Sequence, residues 1–551
     1  MAIAVTFPRF LVSLVSMGCV SILAVPAHEA AQRPARPNPH TGSVFQTSHD
    51  CIACHNGLTT PAGEDVSIGS SWRASMMANS SRDPYWQASV RRETFDHPSR
   101  KDDIEDECSI CHMPMSRADA SAAGRRGKVF AHLPIGRPAS QDDALAADGV
   151  SCTLCHQIQR DTLGTRASFT GGFVVDRAVP TKGRPIFGPF DIDAGRATIM
   201  HSASGFKPAE AEHVRQSELC ATCHTLYTHA RGASGEVVGE LPEQMPYLEW
   251  RQSAFREQRG CQSCHMPAVE DAMRISSVLG EPRTGLARHA FRGGNFFMQR
   301  LLNRYRAELG VEAPSSELDA AARGTVQFLQ TDTAAIEIEP AGTSGGRLDF
   351  DVTVRNLAGH KLPTGYPSRR VWLHVLVQDS AGRSLFESGG LRRNGLIEGN
   401  DADADAGTYE PHYTEIRRAD QVQIYESVMA DPSGRVTTGL LTGVRFVKDN
   451  RLLPDGFDKS TVEADIAVRG HAVEDADFGG GGDRVRYSVE IADAKGPFSI
   501  DVELYYQPIG FRWAQNLRGY RSEETERFVS YFESMSTKSA EILARRKATA
   551  R

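Results

Sequence analysis

The 551-residue chain has no surplus of positive charge: 62 Lys and Arg stand against 69 Asp and Glu, a formal charge of −7. That excludes a general electrostatic pull toward nucleic acid or anionic lipid. Long apolar runs are nearly absent. The one candidate, residues 10–25, is shorter than the roughly 20 residues a membrane helix needs. No cysteine follows Cys264, so the C-terminal half carries no thiol chemistry. With 40% hydrophobic and 24% charged residues, the chain is neither disordered nor a multispan membrane protein. Its length suits two to four domains.

The apolar run lies behind a single charge, Arg9, and ends with Val25 and Ala27 at the positions signal peptidase prefers. Residues 1–27 therefore read as a cleaved secretory signal. An uncleaved anchor is the alternative. Cys19 is a poor lipid acceptor, because Ser16-Met17-Gly18 lacks the leucine expected before it. Loss of 1–27 removes Arg9 and no acid, so the exported chain carries −8. Any membrane contact is confined to a possible N-terminal anchor. Export favours disulfides, but the cysteine spacing points elsewhere.

The ten remaining cysteines fall into five copies of one pattern. They are Cys51-x-x-Cys54-His55, Cys108-x-x-Cys111-His112, Cys152-x-x-Cys155-His156, Cys220-x-x-Cys223-His224 and Cys261-x-x-Cys264-His265. Composition alone gives roughly 0.007 such matches by chance. C-x-x-C-H is the attachment motif of c-type haem: the thiols form thioethers along one porphyrin edge, and the adjacent His ligates iron. Zinc knuckles come in pairs and need no His after each. A thioredoxin-like dithiol occurs once, within a βαβ frame. A disulfide across two residues would leave the His unexplained. The spacing predicts five covalent haems spread over about 215 residues.

Each iron then has a sixth position to fill. Thirteen His lie outside the motifs. The distal candidates are His49, His97, His132, His201, His213, His289 and His360, with Met76 or Met77 for one higher-potential centre.

Along the chain, residues 28–47 are rich in Pro, Ala and Arg and read as an extended tether. Residues 48–328 form the haem region, mostly helical or irregular, with an amphipathic helix from Phe296 that stops at Gly310. Over 329–510 the hydrophobic period becomes two: Leu348 to Val354, Val371 to Val377, Val485 to Ile491 and Ile500 to Tyr506. These runs predict an antiparallel, immunoglobulin-like β-sandwich. Residues 511–551 are expected to close the chain with a helix over 522–546, whose basic end suits a helix C-terminus. The fold class is α+β, multidomain. Asp401, Asp403 and Asp405 are spaced like the start of a calcium loop. Gly407 comes one place late and no Glu stands at the twelfth position, so a solvated acidic loop is expected.

The chain resembles the multihaem cytochromes of the cytochrome c-554-like group. The resemblance rests on the five motifs and on several further strings. These are Ser75-Met76-Met77-Ala78-Asn79 with Arg82-Asp83-Pro84, Gly149-Val150-Ser151, Ser217-Glu218-Leu219, and Pro242-Glu243-Gln244 with Tyr247-Leu248-Glu249-Trp250. His289-Ala290-Phe291 with Gly293-Gly294-Asn295, and Gly359-His360-Lys361-Leu362-Pro363-Thr364-Gly365 with Ser368-Arg369-Arg370, complete the set. The resemblance implies a periplasmic electron carrier with closely stacked, mostly bis-His haems. It singles out His289 and His360 as distal ligands, and the latter would make the sandwich a cap on the haem region. Related nitrite reductases carry one Cys-x-x-Cys-Lys motif, and hydroxylamine-oxidising relatives carry eight haems. This chain has neither feature. Electron transfer between redox partner proteins, one of them basic, is the expected function, either alone or as a subunit of a larger redox complex. The alternative is an oxidoreductase with one open haem, where Arg92, Tyr227 or His229 positions a small nitrogen or sulfur species.

Overall fold

The computed structural model describes Met1, residues 42–179 and residues 182–551. Residues 2–27 of the expected signal segment and residues 28–41 of the tether lie outside that range. No described helix is long and apolar enough to cross a membrane. The end of the tether is packed rather than extended. Val44 and Phe45 are buried against Met115, Leu145 and Leu154, and Gln46 exchanges hydrogen bonds with the Thr153 hydroxyl. An apolar pair at the end of a Pro-rich run has a reason to enter a core.

Residues 48–328 form short helices and turns and, beyond the expectation, three two-stranded sheets: Arg184–Gly188 with Phe206–Glu210, Leu226–Arg231 with Val237–Gln244, and Met273–Arg274 with Pro282–Arg283. The longest helix before the connector, Pro84–Asp96, starts at Asp83, whose carboxylate accepts from the Tyr85 and Trp86 amides, with Pro84 in the first turn. It packs on Lys101–His112, which ends in the second motif. The expected amphipathic helix runs Phe296–Arg304, and Gly310, at φ +62°, closes the turn after it. A side chain there would meet the Ile135 carbonyl at 2.5 Å. The connector helix Ser315–Asp332 crosses the expected boundary at 328, and the first strand begins at Ala334.

All four period-two runs are strands. One sheet orders Glu415–Ile416, Gly482–Glu490, Arg347–Asn356 and Ala334–Ser344. Another orders Ser384–Ser388, Arg370–Gln378, Phe498–Gln507 and Glu541–Ala550, with Ile424–Tyr425 beside Arg370–Gln378. Tyr487 opposes Phe350 with rings 5.2 Å apart, and Leu504 opposes Leu373. The apolar sides of both sheets share one core, which continues into Phe296, Phe297, Tyr247 and Tyr85 of the haem region. A three-stranded sheet, Val436–Thr437, Ser427–Ala430 and Arg445–Asp449, faces the haem region. There Leu440 donates its amide to Glu93.

Two expectations fail here. The final helix is Glu523–Met535; after a short turn, Glu541–Ala550 is a strand against Phe498–Gln507. The basic residues expected to complement a helix end instead pair across strands, Lys547 with Asp501 at 2.7 Å and Arg545 with Glu503. Charge on this edge also discourages pairing with another chain. The acidic loop is not wholly solvated. Asp403 is buried and holds the Arg370 guanidinium through two bonds of 2.8 and 2.9 Å.

Buried beside the strand Gly482–Glu490, His412, Asp475 and Asp483 lie together. Their hydrogen bonds speak against a metal. The Gln423 and Asn450 amides both donate to His412 Nδ1, at 3.0 and 3.1 Å. Backbone amides bonded to the Gln423 and Asn450 oxygens fix both orientations. The proton therefore sits on Nε2 and goes to Asp475, 2.9 Å away. Asp483 Oδ2 accepts from Tyr425 and Gln423, but Oδ1 has no partner. Burial, with Asp475 adding like charge, pushes Asp483 up to about 7. A carboxyl raised on folding contributes stability below the unfolded value of 3.8 that is lost as pH rises through about 7. Asp483→Asn abolishes that loss. The variant's melting temperature should gain on the native chain between pH 5 and pH 8, by at most about 3 kcal/mol of stability. An equal difference at both pH values would sink this assignment.

Candidate haem-binding site

Each Cys-x-x-Cys-His pattern makes one helical turn. The His amide bonds the carbonyl of the first Cys in three motifs: His55 to Cys51 at 3.1 Å, His156 to Cys152 at 3.0 Å and His224 to Cys220 at 3.0 Å. The second and fifth motifs lie within the helices Lys101–His112 and Cys261–His265. Residues i, i+3 and i+4 of a turn share one face, so both thiols and the imidazole of each motif point to the same side. All ten cysteines are free and half-buried.

Backbone carbonyls set the imidazoles. His55 Nδ1 is 2.5 Å from the Ile275 oxygen, His112 Nδ1 2.9 Å from that of Ser80, and His156 Nδ1 2.5 Å from that of Phe187. His265 Nδ1 meets the Arg292 carbonyl. A carbonyl only accepts, so Nδ1 carries the proton and Nε2 offers its lone pair. Burial keeps the rings neutral, pushing His112 and His265 down to about 4 and lowering His156 and His224. Trp86 stacks flat on His112, 4.3 Å away at 3°.

Two of the distal candidates face motif histidines. His289 stands opposite His156 with ring centres 6.3 Å apart and planes 19° from parallel, and His360 opposite His265 at 6.1 Å and 12°. Metal–imidazole bonds of about 2 Å put two trans rings about 6.3 Å apart, centre to centre. The donor set thus fits a metal held between two imidazoles. His289 and His360 also turn Nδ1 to backbone carbonyls, of Ala287 at 3.0 Å and Lys361 at 2.9 Å. Burial pushes His289 down to about 4 and lowers His360.

The other candidates differ. His97 is buried and its Nε2 has no hydrogen-bond partner, with the Glu93 carboxylate 4.0 Å away. His213 is buried edge-on to Phe187, with Nε2 2.8 Å from the Ile158 oxygen. His132 has both ring nitrogens engaged by side chains, Nδ1 by Asp143 at 2.9 Å and Nε2 by Ser116 at 3.4 Å, so neither turns to a motif. His201 is half-buried on the helix Ala194–Ser204, and His49 is exposed ahead of the first motif. Met76 and Met77 are half-buried. Met76 packs on the main core, and the Met77 carbonyl accepts the Val150 amide that leads into the third motif. Gly149, at φ +62°, permits that approach, since a side chain there would meet the Met77 oxygen at 2.6 Å. Tyr227 bonds Asp465 at 2.6 Å, Arg92 bonds Thr438 at 2.9 Å, and His229 lies exposed beside Glu240.

The motifs touch one another in a definite order. The Cys51 thiol reaches that of Cys152, Cys111 that of Cys223, and Cys220 that of Cys261. Cys155 lies near enough to Cys220 and Cys223 to act on both electrostatically. The first motif therefore adjoins the third, and the third adjoins the fourth. The fourth adjoins both the second and the fifth.

Sequence reasoning missed the four buried charges beside His360. Lys361 Nζ is 2.8 Å from Asp449, Arg451 is 2.8 Å from Asp449, and Arg451 is 2.9 Å from Glu249. Glu249 also accepts from the Lys361 amide at 3.2 Å and the Thr364 hydroxyl at 2.5 Å. Charge type alone carries no signal that residues so far apart in sequence meet.

No family model matches the sequence, and no curated protein matches it. Among solved structures, a penta-haem cytochrome c552 from Thermochromatium tepidum is similar over 92% of this chain and 100% of that one, with TM-score 0.51 and 15% identity. The chain therefore has the fold of a multihaem cytochrome, an α+β mixture of helices and antiparallel sheets.

Proposed function

We propose that this chain is an exported electron carrier holding five covalent c-type haems. The observation that carries the reading is the pair of parallel imidazole couples, His156 with His289 and His265 with His360, each about 6 Å apart over a Cys-x-x-Cys-His turn. The thioether positions are Cys51 and Cys54, Cys108 and Cys111, Cys152 and Cys155, Cys220 and Cys223, and Cys261 and Cys264. The proximal ligands are His55, His112, His156, His224 and His265. Haem supplies a one-electron iron couple. The protein's part is to fix the rings of His55, His112, His156 and His265 through backbone carbonyls, to keep His112, His156, His224 and His265 neutral by burial, and to hold the motifs in contact. An export signal over residues 1–27 supports a periplasmic location. The same signal fits the chemistry, because bacterial c-type haem is attached after export. His97 remains a distal candidate for its buried, unpartnered Nε2.

The test is a haem count. Purified native protein should give five haems per chain by pyridine haemochrome, with the colour staying on the protein through acid–acetone extraction. A lower count, or colour that extracts, contradicts the reading.

A further inference from the structure

By that order of contacts the first motif, like the second and the fifth, is an end of the series. The surface over that end is unusual. The segment Ile275 to Gly280 clamps the motif: the Ile275 carbonyl holds His55, and the Ser277 amide and hydroxyl both bond the Cys54 carbonyl, at 2.8 and 3.0 Å. The same segment turns Val278 and Leu279 outward, 47% and 65% exposed. Leu279 holds φ +50°, a conformation that Gly or Asn adopts with less strain. Its carbonyl accepts from Arg196 at 2.7 Å, and one turn further along that helix Ile199 is 42% exposed. Three large apolar side chains thus stand at the surface beside the terminal motif.

The neighbouring segments carry an excess of acid. The segments 49–68 and 266–288 pack on each other through Leu58, Val66, Val269, Met273 and Leu286. Together they carry six acids, Asp50, Glu64, Asp65, Glu270, Asp271 and Glu281, all exposed, against three arginines. Arg288 pairs with Glu64 and Arg196 with Glu281, which leaves Asp50, Asp65, Glu270 and Asp271 against Arg274 and Arg283. Exposed apolar side chains on segments with an excess of acid suit a transient interface, where charge steers the encounter and a few apolar contacts hold it.

We propose that Val278, Leu279 and Ile199 form the docking surface for a basic redox protein that exchanges electrons at the first motif. This rests on the electron-carrier reading and adds the partner and the place. The probe is a small basic monohaem cytochrome c, titrated calorimetrically into the native full chain at low salt, with electron exchange followed by stopped flow. Val278→Ser combined with Leu279→Asn removes the apolar tips, and Asn accepts the left-handed backbone. The double variant should raise Kd about tenfold and slow exchange in step, while haem content and reduction by dithionite stay those of the native chain. Binding of the native chain should weaken as salt rises. Equal affinity in variant and native chain, or no saturable binding by the native chain, overturns the proposal. A concentration-dependent dimer abolished by the double variant also overturns it, since the occupant is then a second copy. The electron-carrier reading fails separately, through the haem count.

Discussion

Replacing His360 with alanine should turn one low-spin centre into a high-spin, cyanide-binding one. His360 stands 6.1 Å from His265, nearly parallel, and its Nδ1 is committed to the Lys361 carbonyl, so only Nε2 is free to face the motif. Alanine leaves that position to water or an added ligand. In a five-haem chain the high-spin signal should reach about one fifth of the total haem, with the other centres unmoved. His289→Ala should do the same through His156. His132→Ala should leave the spin state alone, because Asp143 and Ser116 already occupy its nitrogens. Electron paramagnetic resonance of the oxidised variants decides. A His360→Ala protein with an unchanged low-spin spectrum would remove His360 from the ligand set.

The second large effect is expected at Asp449. It is buried between Lys361, which has no exposed surface, and Arg451, which also holds Glu249. Asp449→Ala strands two cations with one remaining acid. Breaking a buried pair in this way costs about 3–5 kcal/mol, enough to lower the melting temperature by several degrees in a chain of this size. Because Lys361 follows His360, the variant should also disturb the low-spin signal of the fifth centre. Asp449→Asn, which keeps the shape, should cost less. The pH dependence has a definite sign. Despite burial, Arg451 and Lys361 hold Asp449 down to about 2. A carboxyl lowered on folding contributes stability above its unfolded value of 3.8 that is lost as pH falls toward about 2. The native chain should therefore lose stability more steeply than Asp449→Asn between pH 4 and pH 2. Matching melting temperatures in the native chain and Asp449→Ala would show that the four charges lock nothing.

Much of this is legible in the sequence, and for local reasons. The cysteine motifs depend on spacing within one turn, and the strands 347–356 and 482–490 depend on alternation that survives wherever one face is buried. The end of the chain was misread because Phe528, Tyr531 and Phe532 set a helical period that Ile542 and Leu543 continue. What makes Glu541–Ala550 a strand is its pairing with Asp501 and Glu503, more than thirty residues away. The same limit hid the Lys361, Asp449, Arg451 and Glu249 cluster and the order in which the motifs touch. His289 and His360 stood out through the strings around them. His132 looked equally eligible, and only the tertiary placement of Asp143 and Ser116 shows its nitrogens engaged.

The central claim is that the haems relay electrons between proteins and leave no iron open for substrate. Its most direct test is electron paramagnetic resonance and optical spectroscopy of the oxidised native protein, integrated against haem content, with and without cyanide. The account predicts five haems, low-spin throughout and indifferent to cyanide. A high-spin, cyanide-binding centre in the native chain would contradict it and make the protein a catalyst.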